Sequence, residues 1–244
     1  SLHLTISLSR DEVRFITIAF VITLLFSIPV ISDRLAISVH GFHHLSLVTR
    51  LFYGFFPPEN PGMGGTLINY QWGYHALVAA LSFTSNFHPL HIFSALNIIS
   101  LFFIFCIAYR SAKFFGFSEG YCYLVPLALI GLMRSDSVIF FLRNILSGDF
   151  SLLQDAASNP LTLLTNWVAG VSYVDRRLFF MNIFFNANNM PLGLCLIFAF
   201  FLNLLILEAR VEKADRKVYM VLLSVILLAL AINYSFFLIY ILLF

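Results

Sequence analysis

The sequence predicts an all-α fold: a polytopic transmembrane helix bundle with an interfacial helix in the first outer loop. Two observations carry most of that reading. Sixty per cent of the 244 residues are hydrophobic and 11% are charged, with a mean hydropathy of +0.92. An average soluble domain is about 45–50% apolar and about 25% charged, so this chain has too little polar surface to coat a water-soluble body, and the lipid bilayer is its first partner. The second observation is that apolar runs near the roughly 20 residues a helix needs to cross hydrocarbon recur along the chain, separated by short polar loops.

Phe15–Ser32 is uncharged, follows Arg10 and Arg14, and fits a first span. Residues 40–53 then mix apolar and polar positions. Phe42, Leu45, Val48 and Phe52 fall three or four apart, as one face of a helix does, with His43, Ser46 and Arg50 off that stripe. Such a helix lies in the interface rather than spanning, and Gly54 and Pro57-Pro58 end it. Gln71–Tyr109 contains no Asp, Glu, Lys or Arg. The turn signal Ser85-Asn86-Phe87-His88-Pro89 divides it into a short helix and a full-length one. Further apolar runs surround Tyr121–Met133, Leu178–Leu207 with a polar start at Asn186–Pro191, and Val218–Phe244. The chain starts at Ser1 and ends inside an apolar run, so residues 1–244 read as a single transmembrane module, the N-terminal fragment of a longer protein.

Lys and Arg in short loops set orientation. Arg10 and Arg14 place the N-terminus in the cytoplasm; Arg210, Lys213, Arg216 and Lys217 assign their loop to the same side, as do Arg110 and Lys113. Residues 33–70 and 134–188 then share the outer face. These assignments agree only if the short 71–86 helix does not cross fully.

The formal charge of +2 argues neither for nor against nucleic acid; no basic stripe interleaved with aromatics appears, and no nucleic-acid partner is expected. Cys106, Cys122 and Cys195 lie far apart, in or beside apolar runs and without CxxC spacing. They read as small buried hydrophobes.

Chemistry concentrates in the two outer segments. Asp33 and Glu59 are the only carboxylates between Glu12 and Glu119. Asp33 stands where the first span leaves the membrane, at headgroup depth, and a carboxylate there can serve as general base or hold a divalent metal beside a phosphate. The simpler reading is an interfacial residue that helps end the span beside Arg34. His40, His43 and His44, with His75 downstream, form the densest imidazole cluster. His40 and His44 share a helix face, but Gly41 excludes the HExxH zinc pattern. These rings suit phosphate pairing or proton transfer, or simply an amphipathic place at the interface. The loop Phe56–Gly65 joins rigid prolines to glycines that permit close backbone approach, and Tyr70 and Trp72 precede the next helix as interface aromatics. In the second segment Arg176 and Arg177 can clamp a phosphate, and Asn186 and Asn189 can donate to a sugar or phosphate. Capping by Asn188 or Asn189, with Pro191 in the first turn, is the local alternative.

Three stretches, His40–Leu45, Gly54–Pro61 and Asn69–His75, together resemble the first outer loop of the GT-C superfamily of membrane glycosyltransferases. The resemblance covers residues 33–110 and, more loosely, 170–210. It implies a bacterial or archaeal plasma-membrane enzyme that transfers a sugar from a polyprenyl-phosphate donor to an acceptor on the outer face. It further implies that Asp33 takes the place of the acidic residue after the first span. An acidic residue that many relatives carry just before the loop-helix histidine is missing here, where the chain reads His40-Gly41-Phe42-His43, which makes Glu59 the alternative base. His40, His43, His44, Tyr70, His75, Arg176, Arg177, Asn186 and Asn189 would bind substrate. Competing readings are a non-enzymatic transporter or scaffold that uses the histidines as a relay, and a zinc site on His40, His44 and His75.

Overall fold

The computed structural model describes residues 8–31, 39–60, 65–67, 72–132, 146–148, 190–210 and 213–233. Its helices are α1 (Arg10–Ile31), α2 (Val39–Phe52), α3 (Gly73–Ser85), α4 (Pro89–Phe114), α5 (Glu119–Leu132), α6 (Met190–Arg210) and α7 (Lys213–Asn233). No strand occurs among the described residues, and an isolated antiparallel bridge joins Glu59 to Leu67.

Local chemistry sets the helix limits. Ser9 and Glu12 form a reciprocal capping box at the start of α1. The Ser9 N–H donates to a Glu12 carboxylate oxygen at 2.8 Å, and the Glu12 N–H donates to the Ser9 hydroxyl at 3.3 Å. The expected break at 85–89 is present. Asn86 closes α3 in the left-handed region at φ 59°, which Asn tolerates better than most residues. His88 then caps α4, its Nδ1 accepting the Leu90 N–H at 3.2 Å, with Pro89 in the first turn. At the far end of α4, Gly116 at φ +78° lets the Gly116 and Phe117 N–H groups bond back to Lys113 and Ala112. α6 starts at Met190 with Pro191 in its first turn, as the Asn–Pro signal suggests. α7 begins at Lys213, five residues before the apolar run, and so takes in charged residues that the hydropathy reading assigned to the loop.

Helix α1 packs antiparallel on α4. Glu12 pairs with Arg110, the Phe15 ring lies on Tyr109 with centroids 4.1 Å apart, and Phe20 meets Phe102 edge-on at 6.3 Å. Moving up α1 therefore means moving down α4. Phe15, Leu101, Ile104, Phe105, Cys122 and Cys195 are buried together, so α1, α4, α5 and α6 share this core.

That geometry limits the path of the short helix. The chain leaves α1 at the end of the bundle where α4 begins, so α2 and α3 together make no net crossing. At 13 residues, α3 is also only about 20 Å long, against a hydrocarbon thickness of about 30 Å. A second core lies at this end, where Val48 of α2, Tyr74 and Val78 of α3 and Phe93 of α4 pack with Leu192 at the start of α6. The last residues of α7 arrive here too, Ile232 and Asn233 closing on Gly73. Since α7 packs back along α6, the α6–α7 junction lies toward the opposite end, where α1 begins and α4 finishes. Arg10, Arg14, Arg110, Lys113, Arg210 and Lys213 therefore gather at one end of the bundle.

Three helices among the described residues are long and apolar enough to cross a membrane: Pro89–Phe114, Met190–Ala209 and Arg216–Asn233. Their outward faces are apolar as well. On α7, Leu223, Ile226 and Leu230 are buried while Val221, Val225, Leu228 and Ile232 are exposed. A water-facing helix would carry polar groups there; this is an integral membrane protein. Polar side chains within the helices mostly bond to their own backbone four residues back. Thr23 to Ala19, Ser100 to Leu96, Asn203 to Ala199 and Asn233 to Ala229 are examples, which gives these donors partners where water is excluded.

The buried face of α2 differs from the expected one. His44, Leu47 and Val48 are fully buried, whereas Phe42 is 56% exposed and Phe52 38% exposed. In a lipid setting an outward Phe costs little, while an imidazole needs a polar partner inside the protein. The position of that partner, not the apolar stripe, sets how α2 is rotated.

Candidate functional site

The polar groups of the site lie where α2, α3 and α4 meet. On α3, Tyr74, His75, Val78, Ala79 and Ser82 are buried, at the spacing of one helical face. On α4 the buried face begins Phe93, Ser94, Asn97, Ser100 and Leu101. The two surfaces interleave: Tyr74 packs on Phe93 at 5.6 Å and its hydroxyl meets Asn97 Oδ1 at 3.4 Å.

His44 and His75 sit at the centre, both 0% exposed. His44 Nδ1 lies 2.7 Å from His75 Nε2. The rings are 10° from parallel with centroids 5.0 Å apart. A ring nitrogen lies about 1.1 Å from the ring centre, so an in-plane N–H···N bond of this length places the centres about 5 Å apart. The rings are therefore nearly coplanar and joined edge to edge, rather than stacked face on face. One hydrogen occupies the gap, with one nitrogen donating and the other accepting. Two zinc ligands at 2.0–2.1 Å on a tetrahedral ion stand about 3.3 Å apart with their lone pairs converging on the metal. Nitrogens aimed at each other across 2.7 Å do not fit that arrangement, which argues against zinc on His44 and His75 in this geometry.

An ion pair lies at the rim. Arg50, in the last turn of α2, reaches Glu59 at 3.0 Å, with the two side chains 31% and 39% exposed. The Asn60 N–H donates to the Thr66 carbonyl at 2.8 Å and Gly65 takes φ +78°, so the Pro/Gly loop folds back on itself beside the helix it follows. Phe56 meets Trp72 edge-on at 4.9 Å across this loop. Phe42, Leu45, Ser46, Thr49 and Arg50 line an open depression along the outward side of α2.

The site predicted from sequence is only partly visible. His43 is half-buried next to His44, His44 and His75 are paired, and Glu59 is held by Arg50. His40 lies in α2, one turn before His44. Asp33, the carboxylate proposed to act as base or to hold a divalent metal, lies outside the described residues, as do Tyr70, Arg176, Arg177, Asn186 and Asn189. Sequence reasoning gave Tyr74 and Asn97 no role in the site and placed Arg50 off the helix stripe without a partner. The available signals were an amide, Asn97, inside the long apolar run that follows Pro89 and an arginine nine residues before an isolated glutamate. No family model, curated protein or solved structure matches the chain.

Proposed function

We propose that the chain is a membrane glycosyltransferase of the GT-C type, using a polyprenyl-phosphate-linked sugar at the end of the bundle that carries α2 and α3. The carrying observation is the location of this polar cluster. It lies at the end away from the basic helix termini, between the short helices α2 and α3 and beside apolar outward surface, where an amphiphilic donor can keep its chain in the bilayer and its phosphate near polar groups. In this reading Asp33 takes the acceptor's proton, Arg176 and Arg177 hold the phosphate, and Asn186 and Asn189 assist. Glu59 either anchors the loop through Arg50 or serves as the alternative base. Since His44 and His75 are buried against each other, they position α2 and α3 rather than touch substrate.

The test is the full chain in lipid nanodiscs, supplied with a panel of polyprenyl-phosphate sugars and assayed for transfer or donor hydrolysis. Turnover in wild type that falls at least 100-fold in Asp33→Asn supports the reading. Turnover unchanged by Asp33→Asn and Glu59→Gln together removes the proposed base, and no turnover with any donor removes the enzyme reading. A transporter is the second reading, favoured by the histidine pair as a proton relay. It predicts pH-driven flux in liposomes without donor consumption.

A further inference from the structure

We infer that His44 and His75 form a proton-binding site: the pair takes up one proton and keeps its internal N–H···N bond, and a second proton breaks that bond and releases α2 from α3. This goes beyond sugar transfer and stands or falls independently of it.

The argument starts from the hydrogen count. Two neutral imidazoles carry two ring hydrogens. Across a 2.7 Å gap one nitrogen must donate and the other accept, so one hydrogen lies between the rings and the other lies on an outer nitrogen. In one tautomer His44 Nδ1 donates, His75 Nδ1 carries the second hydrogen and His44 Nε2 is bare. In the other His75 Nε2 donates and the bare nitrogen is His75 Nδ1. An added proton binds whichever outer nitrogen is bare, and the pair becomes an imidazolium donating to an imidazole, a stronger charge-assisted bond than the neutral one. Uptake on one outer nitrogen, a hop of the central hydrogen and release from the other outer nitrogen would also pass a proton through the pair with every atom accounted for. A third ring hydrogen is thus accommodated. A fourth would put N–H groups head to head across the gap, and the contact cannot persist.

The described neighbours of the pair come from five helices. On α2 the titratable neighbours are His40, one turn before His44, and His43, half-buried with its ring 6.1 Å from His44; Arg50 and Glu59 farther along compensate each other. On α3 the neighbour is Tyr74, with its ring 6.2 Å from His75. From α4 the near groups are Phe93 and the uncharged Asn97, with His88 and His91 exposed at that helix's start. α6 contributes Leu192, and α7 contributes Ile232 and Asn233 beside Gly73. One charge is shared across the bond, whereas two adjacent imidazolium charges repel each other in a low dielectric. The pair is also a link between helices: it joins positions 31 residues apart on α2 and α3.

The experiment is nitrogen NMR of the full chain, labelled with 15N-histidine, in lipid nanodiscs from pH 8 to pH 4. Two of the seven histidines should show a nitrogen–nitrogen coupling across the hydrogen bond. Their signals should move together in one step that preserves the coupling, then lose it in a second step as amide exchange of residues 39–52 rises at least tenfold over its intrinsic pH trend. In His75→Gln the coupling and the joint step should vanish while the His43 signal and the helicity stay. Absence of the coupling in folded wild type, independent titration of the two rings, or a joint step that survives His75→Gln would each overturn the inference. If His75→Gln fails to fold, the wild-type coupling and its pH course decide the question alone.

Discussion

Glu12 and Arg110 form an ion pair between the first turn of α1 and the last turns of α4. Glu12 is buried, Arg110 is about half exposed, and Lys113 lies nearby with its ammonium 5.6 Å above the Tyr109 ring. Burial is the largest single influence on Glu12 and pushes its pKa up. The Ser9 N–H, the Ser9 hydroxyl, Arg110 and Lys113 together outweigh it and hold the carboxyl below its ordinary 4.5. A depressed folded-state pKa makes the stabilisation full above the unfolded value and removes it as pH falls through the folded one. Wild type in detergent should therefore begin to lose stability near pH 4.5 and below, and Glu12→Gln should flatten that descent. At neutral pH, Glu12→Ala removes the capping partner and the ion pair together, an expected cost of about 1–2 kcal/mol. Thermal unfolding across pH measures both; an acid limb unchanged in Glu12→Gln would contradict the assignment.

Gly73 and Asn233 bring the start of α3 and the end of α7 together. A methyl group on Gly73 would lie 2.5 Å from Ile232 Cγ2 and 2.7 Å from Asn233 Oδ1. Those separations force movement, so Gly73→Ala should destabilise by about 1–3 kcal/mol. Ile232→Ala should recover part of that loss in the double variant. Gly54 is the comparison: it sits at φ +85° in open space, and Gly54→Ala should cost about 1 kcal/mol through backbone strain alone, unaffected by Ile232→Ala. Equal responses of the two glycines to Ile232→Ala would place the Gly73 effect in the backbone and not in the helix contact.

Much of the fold was legible because hydropathy and punctuation are local properties. Ser85-Asn86-Phe87-His88-Pro89 announced the α3–α4 break through the left-handed tolerance of Asn and the helix-starting geometry of Pro. The capping box at Ser9 and Glu12 was equally local and was missed. What sequence could not supply was rotation of helices in lipid. In water an apolar stripe identifies the inner face, but here Phe42 and Val225 face outward as readily as Val48 faces inward. Buried polar partners fix the rotation instead, and His44 finds its partner 31 positions away on another helix. The cluster of histidines was visible as composition; its pairing was not.

The antiparallel arrangement of α1 and α4 predicts a labelling pattern. Tyr53, between α2 and α3, and Phe87, just after α3, are 72% and 61% exposed, and Phe115 at the opposite end of α4 is 62% exposed. In a chain with Cys106, Cys122 and Cys195 replaced by Ala, single cysteines at Tyr53 and Phe87 should react with an impermeant maleimide from the same side of sealed vesicles. A cysteine at Phe115 should react only from the other side. Labelling of Tyr53→Cys and Phe87→Cys from opposite sides would mean that α3 crosses the membrane, contrary to the packing.

Arg50 and Glu59 offer a way to separate an anchoring carboxylate from a catalytic one. Both side chains are about one-third exposed, so solvent screens the pair, and a double-mutant cycle on unfolding should give a coupling of only about 0.2–1 kcal/mol. If Glu59 acts solely as an anchor for the Pro/Gly loop, Arg50→Gln and Glu59→Gln should impair transfer equally, and the double variant should be no worse than either. As the base, Glu59 should behave otherwise: Glu59→Gln should cost at least a further 100-fold, the scale of losing general-base assistance, with Arg50→Gln retaining most activity. The comparison of the two single variants decides, because removing either partner breaks the same ion pair but only one of them removes the carboxylate.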